Sequence, residues 1–139
     1  ALEQTGLKEF AERSIDSLSG GQRQRVWIAM ALAQDTDFLL LDEPTTYLDL
    51  AHQLEVLKVL QKLNKHEKRT VIMVIHDLNH AARFSDYMVA IRDGNIMKAG
   101  VPEEIMTGEV LQEVFNIDAE IVSDPRRNKP VCITYDLLT

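Results

Sequence analysis

Apolar side chains along the chain switch between two spacings. Leu50, Leu54, Leu57, Leu60 and Leu63 recur at helical spacing with polar residues between them, which predicts a helix from Leu50 to Asn64. Gln22 to Gln34 also reads as a helix, rich in good helix formers, with Val26, Ile28, Ala29, Leu32 and Ala33 as its apolar positions. Residues 1–18 carry a weaker helical pattern through Leu2, Leu7, Phe10 and Ile15, broken at Gly6. Two runs are different: Phe38-Leu39-Leu40-Leu41 and the β-branched stretch Thr70–Ile75 are short, continuous and apolar. Such runs predict strands buried on both faces, as in a parallel sheet.

Downstream, Asp77 is placed to cap a helix running to Phe84. Tyr87–Ile91 predicts a third strand, and Asp93-Gly94 a hairpin turn into Ile96-Met97. Pro102 opens a short helix, which Gly108 separates from another ending at Phe115. Ile117–Val122 and Val131–Tyr135 predict a last strand pair around the turn-rich segment Ser123–Pro130. Strands alternating with helices imply an α/β sandwich with a parallel sheet.

Composition narrows the class. The 139 residues suit one domain, and 22 acidic against 15 basic side chains give a formal net charge of −7. That balance argues against a nucleic-acid binder working through a broad basic face. A single cysteine, Cys132, excludes an internal disulfide framework and fits a reducing compartment. The longest apolar runs fall well short of the ~20 residues a membrane-spanning helix needs, so no span is expected. The opening Ala1-Leu2-Glu3-Gln4 is not a basic-then-apolar leader, so no signal peptide is expected, and the methionine-free start reads like the interior of a longer chain.

Three segments carry candidate chemistry. Ser19, Gly20, Gly21 and Gln22 stand at a helix start, where a hydroxyl, free N–H groups and the helix dipole favour a phosphate. The same turn would equally serve as an ordinary N-cap. Asp42 and Glu43 close the Phe38–Leu41 strand, at the carboxyl end where open α/β sheets bind ligands. An aspartate there can hold a magnesium ion bridging nucleotide phosphates, and Glu43 can orient a water attacking the terminal phosphate. Two acids that merely end a strand in solvent are the plainer reading. His76 ends the Thr70–Ile75 strand in the same way and can hydrogen-bond a terminal phosphate, or simply pack or cap. His52, His66 and His80 lack metal-ligand spacing with the cysteine.

Together these segments resemble the ATP-binding cassette ATPases. Leu18–Gln22 is similar to their signature motif, Phe38–Glu43 to the Walker B strand with its catalytic glutamate, Thr46–Asp49 to the D-loop, and His76 to the switch histidine. The resemblance runs from about Ser14 to Gly100. It implies a partial P-loop NTPase (RecA-like) α/β fold with a mainly parallel sheet: residues 1–35 end a helical subdomain, 36–100 form the core, and 101–139 form a C-terminal segment. Gln22–Gln34, Asp42–Asp49, Ala51-His52-Gln53 and His76–Asn79, with Met30 where many cassettes carry arginine, are most similar to iron(III)–siderophore importers, and haem and cobalamin importers share much of this pattern.

The family's Walker A loop is missing from these residues, because none of the six glycines is followed by lysine. The stacking aromatic and lid-loop glutamine that precede the signature in the family are missing too. The resemblance therefore implies the C-terminal half of a nucleotide-binding domain, inactive in isolation. In the parent it implies ATP and Mg²⁺ as cofactors, with Asp42 on the metal, Glu43 and His76 catalytic, and Ser19, Gly20, Gly21, Gln22 and Asp49 at the nucleotide. It further implies a head-to-tail homodimer of ATPase subunits on the cytoplasmic face of a membrane, transmembrane permease subunits, and indirectly a substrate-binding protein. A cassette ATPase acting on ribosomes or DNA is a second class, which the acidic balance and the Thr46-Tyr47 pair do not support. A non-enzymatic interaction module is a third. Lys65–Arg69 reads as a solvated loop, Trp27 as either a partner contact or a core residue, and Arg126-Arg127 as part of a hairpin turn with no ligand assigned.

Overall fold

The computed structural model describes residues 26–30, 33 and 36–138, which fall into two compact units divided between Ile75 and His76. The expected helical stretches within 1–18, and Ser19–Gln22, lie outside the described residues.

In the first unit, α1 is helical at residues 26–30 and 33. Strand β1 (Phe38–Asp42) pairs in parallel with β2 (Thr70–Val74), in register from Phe38↔Thr70 to Asp42↔Val74. A parallel pair needs a crossover, and α2 (Leu50–Glu67) supplies it. Backbone bonds prolong the ladder at both ends: Thr70 N–H donates to Asp37 O at 2.8 Å and Glu43 N–H to Val74 O at 2.9 Å.

Helix α2 starts at Asp49, whose carboxylate accepts the His52 N–H at 2.9 Å, and ends at Lys68, which is left-handed at φ 54°. Lys65 and His66 occupy its last turn, favourably placed against the helix dipole, so the expected loop begins only at Lys68. The helical period puts Val56, Leu60 and Leu63 against Leu39 and Ile28 in one buried cluster, with Leu41, Val71 and Met73 packed on it. The other strand face is different: Phe38, Leu40, Ile72 and Val74 are each more than half exposed. Within this chain the packed cluster engages only the alternate residues of each strand, and the other face is uncovered. Trp27 is exposed while its neighbours Ile28 and Ala29 are buried.

In the second unit, α3 (Leu78–Phe84) is capped by Asp77, which accepts the His80 N–H at 2.9 Å. Strands β3 (Met88–Arg92) and β4 (Asn95–Gly100) form an antiparallel hairpin. Asp93 at φ 50° and Gly94 at φ 76° supply the two left-handed residues that a tight primed turn requires. Pro102 begins α4 (Pro102–Ile105), and Thr107 caps α5 (Gly108–Phe115). Strands β5 (Ile117–Ser123) and β6 (Pro130–Leu137) close as a second antiparallel hairpin with a bulge at Glu120/Ile121.

The core of this unit joins Ala82, Met106, Leu111 and Cys132, with Leu78, Met88, Ile117, Ala119 and Ile121 around them. A smaller cluster holds Ala90, Ile105, Val110 and Val114. Among the described residues, β1 and β2 pair in parallel, and β3–β4 and β5–β6 pair antiparallel. The short turns after β3 and β5 can only return their strands antiparallel. No described helix is long and apolar enough to cross a membrane.

Candidate functional site

The loop Glu43–Asp49 joins β1 to α2 and carries Glu43 and Asp49, directly after Asp42 at the end of β1. Asp42 ends β1 in register with Val74, so alternation places it on the open strand face with Leu40 and Phe38. Its carboxylate is exposed. Glu43 breaks the strand by entering the left-handed region at φ 49°, while its N–H stays bonded to Val74 O. Such a conformation costs a non-glycine residue roughly 1 kcal/mol, and strain of this kind collects at functional sites.

Two bonds from one residue hold the glutamate. The Thr46 N–H donates to the Glu43 carbonyl at 3.2 Å, and the Thr46 hydroxyl donates to Glu43 Oε2 at 3.3 Å. Pro44, fully buried, anchors the turn between them. Leu48 N–H then bonds to Thr45 O at 3.3 Å, and Tyr47 takes a second left-handed conformation at φ 66° with its ring wholly exposed. Asp49 closes the loop: one carboxylate oxygen accepts the His52 N–H at 2.9 Å, and the His52 ring nitrogen Nδ1 lies at the same distance from it. Gln53 Nε2 adds a bond to Leu48 O at 2.8 Å.

The structure therefore places Asp42 at the end of β1, and Glu43 and Asp49 at the two ends of the short loop that follows. His76 belongs to the second unit, exposed, directly ahead of the cap Asp77. The segment Ser19–Gln22 lies outside the described residues. Among those described, no three histidine, cysteine, aspartate or glutamate side chains group tightly enough to hold a metal by themselves. A single exposed carboxylate such as Asp42 suits magnesium nonetheless, since that ion keeps several waters and binds through one or two carboxylates plus substrate phosphates.

Residue reading missed two participants. Thr46 gives no sign of its bond to Glu43 except its spacing three positions on, the spacing of a turn. Asn79 clamps α3 to β6, donating Nδ2–H to Cys132 O at 3.1 Å and accepting the Cys132 N–H on Oδ1 at 2.8 Å. No local pattern announces a contact 53 positions away.

Comparison with known proteins gives the class. The family model described as ABC transporter matches residues 1–46. Together with the similarities below, it shows that the chain belongs to the ABC transporter ATPases, as part of a cassette domain. The chain is 69% identical over 138 residues to the iron(3+)-hydroxamate import ATP-binding protein FhuC of Bacillus subtilis (strain 168), covering 99% of this chain and 51% of that protein. It spans about half the length of the curated relatives it matches. Its fold is similar to that of a metal-chelate type ABC transporter in an inward-facing conformation: TM-score 0.83 and 32% identity, over 96% of this chain and 54% of the other. It is also similar to a dimeric ATP-binding cassette in a post-hydrolysis state bound to ADP and Pi, at TM-score 0.61 and 38% identity, over 72% and 43%.

Proposed function

We propose that this sequence forms the part of an importer ATPase that begins near its signature motif, and that the importer carries iron(III)–siderophore complexes. The observation that carries the reading is the Asp42-Glu43 pair at the end of a parallel strand, with Glu43 turned out of the strand and held by Thr46. In the assembled cassette, Glu43 accepts a proton from a water as its oxygen attacks the terminal phosphorus of ATP. The phosphorus–oxygen bond to ADP breaks, and the proton passes on to the phosphate released. His76 hydrogen-bonds the terminal phosphate, which orients it for in-line attack. Asp42 would hold the magnesium ion, which when bound neutralises charge on the phosphates.

Ser19, Gly20, Gly21 and Gln22 offer their hydroxyl and N–H groups to the nucleotide of an opposing subunit, with Asp49 at the same junction. Residues 1–35 then end a helical subdomain, 36–100 form the catalytic core and 101–139 a C-terminal segment. The partners are a second ATPase subunit in a head-to-tail pair, transmembrane permease subunits, and through these a substrate-binding protein, with the ATPase on the cytoplasmic face of the membrane.

The test joins this sequence to the N-terminal half of the Bacillus subtilis relative, and measures ATP hydrolysis and iron–hydroxamate uptake in cells lacking that relative. The joined protein hydrolyses ATP and restores uptake, and Glu43→Gln slows hydrolysis by roughly 10²–10⁴-fold. The 139-residue chain alone is expected to show no micromolar ATP affinity by calorimetry. Hydrolysis unaffected by Glu43→Gln would remove the glutamate from the mechanism. Hydrolysis without uptake would remove the siderophore importer.

A further inference from the structure

The hairpin turn between β5 and β6 gathers cations at the C-terminal end of α3. Asp124 organises it: one carboxylate oxygen accepts the Arg126 N–H at 2.8 Å and the other pairs with Arg127 Nη1 at 3.2 Å. Its backbone N–H donates to Lys129 O, and its carbonyl accepts the Asn128 N–H, both at 2.8 Å. Lys129 Nζ reaches Ser85 O at 3.5 Å, which ties the turn to the end of α3. Arg83, in the last turn of that helix, lies with its guanidinium 4.7 Å from the centre of the Phe84 ring. Burial first, and then the nearby Arg127 charge, hold the Arg83 guanidinium below its ordinary pKa, while Asp124 pulls it the other way.

Part of this charge serves the fold, since cations suit a helix C-terminus and Arg127 staples the turn. A surplus remains. Arg126 is exposed, and its side chain makes no hydrogen bond or ion pair among the described residues. The Arg83 guanidinium lies over the Phe84 ring, and its N–H groups make no hydrogen bond or ion pair among the described residues. Four cations against one stapling carboxylate stand out in a chain of net charge −7.

We propose that Arg83, Arg126, Arg127 and Lys129 form a docking surface for a carboxylate-rich segment of a partner protein. Three of the four are arginines, whose planar forks match carboxylates with two parallel hydrogen bonds, and the Phe84 ring lies against the Arg83 guanidinium. A small anion is poorly served here. The adjoining cavity of about 340 Å³, lined by Glu103, Ile121, Val122, Ser123, Asn128 and Pro130, carries a carboxylate of its own. A lipid surface fits less well too, because the turn 124–129 offers no large apolar side chain to insert. A few basic residues at about 1 kcal/mol each do not anchor a protein stably without a second signal. The acidic remainder of the chain repels an acidic partner, and so steers it to this tip.

Fluorescence anisotropy of a labelled ten-residue oligoglutamate peptide, titrated with the 139-residue chain, tests this. Saturable binding that weakens with salt is expected, and R83Q/R126Q weakens it about tenfold, the size of one charge-assisted hydrogen bond. K58Q/K62Q makes the same change in net charge on α2 and leaves binding within about twofold, a change too small for a lost direct contact. Circular dichroism establishes that both variants fold. Should the double variant fail to fold, R126Q alone, which removes only an exposed side chain, gives a smaller loss in the same direction. The proposal is overturned by no saturable binding, by equal losses in the two double variants, or by tighter association with phosphatidylglycerol vesicles than with the peptide.

Discussion

Thr46 and Glu43 are joined twice across one tight turn, backbone to backbone at 3.2 Å and hydroxyl to carboxylate Oε2 at 3.3 Å. The first bond fixes where the glutamate's main chain goes, and the second restrains the direction of its carboxylate. The role proposed for Glu43, a base that meets a water in line with a phosphorus, gains from both.

Replacing Thr46 by valine in the joined cassette keeps the shape and removes the hydroxyl. Because the bond is long and exposed, the expected loss is about 1 kcal/mol, or roughly three- to tenfold in kcat. KM for ATP should hold steady, since in the proposed mechanism the contact acts on the base and not on the nucleotide. Thr46→Ser, which restores the donor, should recover most of the rate in a steady-state assay.

The Asn79 amide spends both its donor and its acceptor on the backbone of Cys132, in the core of the second unit. Asn79→Ala would leave an N–H and a carbonyl short of partners next to buried Cys132, at a cost of about 2–4 kcal/mol. Urea unfolding should show this as a lower midpoint with an unchanged slope. Asn79→Asp keeps the acceptor and loses the donor, so its midpoint should fall between the two.

Much of the architecture was legible because it follows from local rules. The leucine spacing set out α2, Asp77 its cap on α3, Asp93-Gly94 a hairpin, and Pro102 a helix start. The acids Asp42 and Glu43 at the end of β1 marked a candidate site because ligands bind at the carboxyl ends of strands in open α/β sheets. What escaped depends on partners far along the chain or on backbone choices with no glycine to signal them. Exposure of Phe38 and Leu40 turns on what packs against β1, which a run of leucines does not encode. Likewise, the left-handed turns at Glu43 and Tyr47 occur at residue types that rarely adopt them.

Tyr47 combines a left-handed backbone at φ 66° with a fully exposed ring. The ring adds no packing within the chain that could offset the strain. Glycine accepts this conformation without penalty, so Tyr47→Gly should raise the stability of the chain by roughly 0.5–1 kcal/mol despite the added freedom of the unfolded state. A higher midpoint in thermal unfolding would show it. A lower one would mean that the ring makes a contact in solution.

Asp124 gives the turn between β5 and β6 a dependence on acidity whose sign can be worked out. The Arg126 N–H first, and the Arg127 guanidinium with it, hold the Asp124 carboxyl below its ordinary value of 3.8. A carboxyl that is more acidic when folded stabilises the folded chain at pH values above its unfolded pKa, and that contribution disappears as the pH falls through the folded pKa. Asp124→Asn, which cannot ionise, removes the effect. Urea midpoints of the native chain and the variant should therefore differ by a constant amount between about pH 7 and 5, and converge as the pH drops below the ordinary carboxylate range. If the two curves ran parallel through the acid limb, Asp124 would hold the turn through hydrogen-bond geometry and not through its charge.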